Sequence, residues 1–169
     1  MIAATAQWLT RAYPASNAVR VLQAYAQARQ AVTVAAWLRY PTAMDAGLLA
    51  LVGPGGSGRL DWFVDGHLPG VDDDQAWRTW VDEVLASWAA SLLADPGLAA
   101  AAVAAVAGCE HAAGVQRDFR RLTAPDEADA TAAVLLRHPD LVAPVARLHR
   151  TELLERLEVA PGPPDRSLA

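Results

Sequence analysis

His149, with Glu152 and Glu155 following at three-residue intervals, is the group of residues in this chain whose types and spacing best suit chemistry. Helical positions three apart lie about one turn above one another, so this row offers one nitrogen and two carboxylates along a single edge. Val142, Val145, Ala146 and Leu153 surround His149 on a helical wheel, which turns the imidazole into an apolar stripe. An imidazole placed there serves as a base, as a metal ligand, or as a core histidine bonded to a carboxylate or carbonyl. One helix cannot complete a site. The further donors available are Glu110, His111 and Asp118, or Asp65 and His67. Glu110 and His111 are adjacent and point in different directions, so a second helix with a matching row is missing. The ligand-binding set expected on these grounds is His149, Glu152 and His111. No metal and no organic cofactor are expected, and no Ser/His/Asp grouping marks a catalytic residue.

A second motif is Gly53-Pro54-Gly55-Gly56-Ser57-Gly58-Arg59-Leu60, which follows an apolar run. Over those eight residues it resembles the phosphate loop of nucleotide hydrolases, and the resemblance implies backbone amides cradling a phosphate. Where that family places a phosphate-binding lysine and a magnesium-holding serine or threonine, this chain has Arg59 and Leu60, so the metal contact is missing. The expectation is a surface loop. Beyond it, Asp61, Asp65, His67, Asp72, Asp73 and Asp74 make an acidic stretch that departs from the ligand register of a calcium loop. Three aspartates before a helix are accounted for by the helix dipole.

These groups must be held by helices. Trp77, Val81, Val84, Trp88 and Leu92 recur at three-and-four spacing, with Trp80 and Leu85 widening the stripe, which predicts a central helix over Asp72–Ala94 with its indoles inward. Arg78, Asp82 and Glu83 fall on the opposite, solvent side of that wheel. Upstream, Ile2–Ala12 reads as a helix closed by Pro14, and a long helix starts at a Ser16 cap and ends near Tyr40-Pro41. Thr42–Val52 suits a short helix. Leu60, Trp62 and Val64 alternate with Asp61, Phe63 and Asp65, which suits a short strand, or a hairpin with Leu49–Val52. Downstream, helices are expected over Gly97–Ala107, around Phe119 and Leu122, over Asp126–His138, and from Asp140 to about Glu158.

Between Leu51 and Gln75 there is no alanine, while six glycines and two prolines fall in the window. The predicted architecture is therefore all-α: a single helical bundle of six or seven helices over residues 1–160, an irregular Gly/Asp-rich excursion at 52–71, and a disordered tail at 161–169. At 169 residues the chain is long enough for a core without staples, and its one cysteine, Cys109, excludes an intrachain disulfide. A net charge of −5 opposes nucleic-acid binding, and no apolar run is long enough to span a membrane, so a cytoplasmic protein is expected. All fourteen cations are arginine, which reflects genome composition and carries no mechanism.

The function expected from this pattern is that of a non-catalytic interaction protein, an accessory subunit or adaptor, such as the partner subunit of a two-protein biosynthetic enzyme. Its partner would be another protein, recognised through Trp62, Phe63, Asp65 and His67 on the excursion. Self-association is compatible with this. The alternative is a small-molecule or His-dependent site inside the bundle around His149.

Overall fold

The computed structural model describes residues 1–53, 55–65, 73–113 and 117–159, and among them the chain is all-α, with eleven α-helices, two 3-10 segments and no strand. In order these are α1 (Ile2–Ala12), α2 (Ala18–Arg39), α3 (Ala43–Val52), α4 (Ser57–Asp65), a 3-10 segment (Asp73–Trp80), α5 (Glu83–Ala94) and α6 (Pro96–Val106). A second 3-10 segment (Glu110–Ala112) precedes α7 (Arg120–Thr123), α8 (Glu127–Ala132), α9 (Val134–Arg137), α10 (Pro139–Ala146) and α11 (Arg150–Val159). No described helix is long and apolar enough to cross a membrane.

Two helices form the axis of the core. From Ala31 to Leu38 every residue of α2 is buried, and from Leu85 to Leu93 every residue of α5 is. A helix that is apolar on all sides belongs inside, and these two pack against each other while α1, α6 and α10 cover them. Alanine on α2 and α5 permits close approach of the two backbones, and Trp8, Trp37 and Trp88 fill the remaining space.

The long helix expected over Asp72–Ala94 is divided. Asp82 caps α5, its Oδ1 accepting from the amides of Val84 (2.9 Å) and Leu85 (3.1 Å), and the preceding residues wind as a 3-10 segment. Of the three indoles expected inward, only Trp88 is buried; Trp77 is half-buried and Trp80 is 46% exposed. Asp82 and Glu83, expected on the solvent side, are both buried. Helical-wheel reasoning carried a single 100° period across a real break, and every facing upstream of the break rotated with it.

The excursion is also partly built into the core. No hairpin forms: Ser57–Asp65 is helix α4, and Leu60 and Asp61 are buried. Trp8 Nε1 donates to Asp61 Oδ1 (2.7 Å) and Arg78 Nη1 to Asp61 Oδ2 (3.0 Å), so a buried carboxylate staples α4 to α1 and to the 3-10 segment. The strand reading fails because i and i+4 neighbours, not alternation, decide which α4 residues face inward. Asn17, not Ser16, caps α2 by accepting from the Arg20 amide. The run expected over Asp126–His138 parts at Ala133 into α8 and α9, and the last helix parts at 147–149 into α10 and α11. These interruptions take the count past six or seven. The tail at 161–169 and residue His67 lie outside the described residues.

Candidate functional site at the amino end of α5

Capping by Asp82 fixes where α5 begins, and the residue immediately inside the cap is Glu83. Its carboxylate receives two partners. His149 Nε2 lies 2.9 Å from Glu83 Oε1, and Arg59 Nη1 of α4 lies 3.4 Å from the same oxygen. The other ring nitrogen of His149, Nδ1, meets Glu152 Oε1 at 3.1 Å, and Glu152 Oε2 is 3.9 Å from Arg39 Nη1. The result is an alternating row, Arg59–Glu83–His149–Glu152–Arg39, joining α4, α5, the α10–α11 junction, α11 and α2. Donation from both ring nitrogens at once requires both to carry a proton.

The backbone of His149 is held as firmly as its ring. Its amide donates to Ser87 Oγ (2.9 Å), and its carbonyl accepts from Trp88 Nε1 (3.0 Å). Ser87 and Ser91 both donate to the carbonyl of Ala146 (2.9 and 3.3 Å). Hydroxyls from α5 thus take up carbonyl and amide groups freed where α10 stops, and that is why one helix becomes two. Pro144, inside α10, already removes one amide from the ladder.

This geometry limits the chemistry. Ser87, His149 and Glu83 include the residue types of a hydrolytic triad, but Ser87 Oγ touches the main-chain nitrogen of His149 and not its imidazole, and it is fully buried. Each imidazole nitrogen is turned to a carboxylate, leaving none aimed at a substrate. Glu83 and Glu152 sit on opposite sides of the ring and share no central point, and no group of three or more His, Cys, Asp or Glu suited to a metal ion occurs among the described residues. The row links α2, α4, α5 and α11 through side chains.

The third residue of the expected ligand set lies in a different contact. His111 Nε2 donates to the Tyr40 carbonyl (2.8 Å) and its ring stacks on Trp37 at 6.2 Å between centroids. Beside it, Glu110 accepts from the Ala43 amide (2.8 Å) and so helps to cap α3, while Asp118 accepts from the Arg120 amide (2.7 Å). Tyr40 also lies between charged groups, its hydroxyl accepting from Arg39 Nε (3.2 Å) and donating to Asp82 Oδ2 (3.1 Å). Burial raises the Tyr40 hydroxyl above the ordinary phenol range, partly offset by Arg39. At the start of α3, hydrogen bonds from Thr42 hold Asp45 below the usual carboxylate range.

The glycine run is explained by chain geometry. Its approach is helix α3, not a strand, and the residue in the magnesium position, Leu60, is buried in the core. Gly56 instead packs against Glu83, whose amide donates to the Gly55 carbonyl (3.2 Å), so an acidic side chain lies against the loop. The phosphate-loop resemblance therefore ends at composition.

Trp62 and Phe63 stand on the outer side of α4, 58% and 39% exposed, with their rings edge to face at 5.3 Å. Asp65 ends the same helix. What reading the chain missed was Glu83, Arg59 and Arg39. The signal for Glu83 was present in Asp82-Glu83 before an apolar run, a good helix start, but Asp72-Asp73-Asp74 looked like a stronger one.

With this row structural, replacing His149 by alanine is expected to lower stability by about 1–3 kcal/mol, because Glu83 loses a partner in a buried setting. Thermal and denaturant unfolding measure it. An unchanged midpoint would remove the latch role.

No family model, no curated protein and no solved structure matches this chain.

Proposed function

We propose that this chain is a non-catalytic helical interaction protein, an accessory subunit or adaptor that presents the outer side of α4 to another protein, as the partner subunit of a two-protein enzyme would. One observation carries this reading: Trp62 and Phe63 are exposed and meet edge to face on a helix whose inner residues, Leu60 and Asp61, are locked into the core. Large aromatic side chains held on a rigid element are the usual energetic centre of a protein interface. Arg59, over the Phe63 ring at 5.9 Å, adds a cationic edge to the same surface. The occupied imidazole nitrogens of His149 support a scaffold over an enzyme.

Removing both rings tests the reading. Trp62→Ala with Phe63→Ala is expected to abolish capture of a stoichiometric partner from cells of the source organism while leaving the melting temperature within about 2 °C, since exposed substitutions away from packing features change stability little. Capture that survives the double substitution, or a wild-type protein that captures nothing, overturns it.

A second reading rests on an open cavity of about 350 Å³ lined by Arg39, Trp88, Glu152, Glu155 and Arg156, next to the His149 row. Its mixture of guanidinium, carboxylate and indole suits a small zwitterion. A non-covalent ligand retained in native mass spectrometry would favour it.

A further inference from the structure

Helix α3 is out of keeping with the rest of the molecule. Its sequence, Ala-Met-Asp-Ala-Gly-Leu-Leu-Ala-Leu-Val, carries one charge, and that charge, Asp45, is tied into a capping box with Thr42. No residue of α3 is buried. Leu51 and Val52 are 84% and 85% exposed, and Met44 and Leu48 are also exposed. Met44, Leu48, Leu51 and Val52 follow one another at four, three and one residues, so they line one stripe of the helix, of which Leu48 and Val52 also border an open groove with Arg39 and Tyr40. The helix is closed at both ends, by its capping box and by the Gly53 amide on the Leu49 carbonyl (2.8 Å), and Glu110 of the second 3-10 segment accepts from its first amide, that of Ala43 (2.8 Å). An uncharged apolar stripe facing water marks an interaction surface.

We infer that this stripe is the contact of a two-fold homodimer in which α3 packs antiparallel on α3 of a second copy. Three features select a second copy. The stripe carries no charge, so two identical stripes meet without like-charge repulsion, and a perpendicular two-fold axis sets Met44 of one copy towards Leu51 and Val52 of the other. An antiparallel arrangement also lays the two helix dipoles in opposed directions, which is their favourable side-by-side orientation. The area reaches the lower bound for a specific interface. Four large apolar side chains exposed to this degree amount to on the order of 500 Å² per copy, so covering all of them in both copies buries on the order of 1,000 Å². This surface is distinct from the Trp62–Phe63 face, so the dimer and the hetero-partner stand or fall separately.

Sedimentation equilibrium of the whole chain over a concentration series tests it, against a monomer mass of 17.9 kDa. The wild type is expected to reach twice that mass and to dissociate on dilution. Leu51→Arg and, at the other end of the stripe, Met44→Glu are each expected to hold the monomer mass throughout, with circular dichroism spectra of the dilute wild type, because neither side chain is packed. Trp62→Ala is expected to remain dimeric. A wild type that stays at monomer mass, a dimer that survives both stripe substitutions, or a dimer lost on Trp62→Ala overturns the inference.

Discussion

Arg137→Met is expected to lower the unfolding free energy by about 3–5 kcal/mol, a third or more of what holds a typical domain together. The guanidinium of Arg137 serves three acceptors. Nε donates to Gln27 Oε1, Nη1 to the Leu93 carbonyl (3.1 Å) and Nη2 to the Arg121 carbonyl, so one side chain ties α9 to α2, to the end of α5 and to α7. Gln27 is fully buried, and its amide in turn donates to the Asp129 carbonyl (2.8 Å). Asp129 is buried as well, and is neutralised by Arg121 at 3.2 Å and Arg120 at 3.6 Å. Burial pulls Arg137 below the ordinary arginine range, and the field of Asp129 opposes that shift. Methionine fills the volume but removes a donor from three acceptors, each loss costing about 1–3 kcal/mol. Lysine restores the charge with a compact ammonium that cannot span all three, so Arg137→Lys should recover less than half of the loss. In thermal unfolding the methionine variant should melt about 10 °C lower. A drop under about 2 °C would mean that water replaces the guanidinium without cost, and the network would then not be structural.

The contrast between this network and the helices around it shows where a single chain is legible. Pro14, the Tyr40-Pro41 step, Thr42, Asp126 and Pro139 act on their own neighbours, and the all-α architecture and most helix ends follow from them. The pair His149–Glu152 is legible for the same reason, being three residues apart on one helix edge. Glu83 is not, because it is 66 residues from His149 and becomes a buried partner only once α5 and the α10–α11 junction are packed together. The division of α10 from α11 has the same origin, since the hydroxyls that take up its freed groups come from Ser87 and Ser91. The indole stripe misled in another way. Trp77, Trp80 and Trp88 do share a helical period, but the capping energy of Asp82 outweighs continuation of the helix, and past that break the phase of the wheel no longer holds. Composition misled at the glycine run, where irregularity was expected and four residues later α4 is a well-packed helix.

That run yields the second large effect, and it separates three glycines of one short segment by size and by sign. Gly56→Ala is expected to destabilise the protein by about 2–4 kcal/mol. Gly56 has φ of +92°, where a side chain costs about 1–2 kcal/mol, and a Cβ there would lie 2.6 Å from Glu83 Cβ and 2.9 Å from Glu83 Oε2. The first of those atoms is one bond from the backbone of α5 and cannot swing aside. Relief must come from moving the α4 approach away from α5, which strains the Gly55–Glu83 hydrogen bond and the Arg59 and His149 contacts together. Gly53 has φ of +80° but nothing within 4 Å of an added Cβ, so Gly53→Ala should cost only the backbone strain, about 1–2 kcal/mol. Gly58 lies inside α4 with open space around it, and Gly58→Ala should stabilise by up to about 1 kcal/mol through the unfolded chain and helix propensity. Chemical denaturation of the three variants orders them. If Gly56→Ala were no worse than Gly53→Ala, the close approach to Glu83 would be relieved without loss, and Glu83 would not be the fixed point on which the row from Arg59 to Arg39 is built.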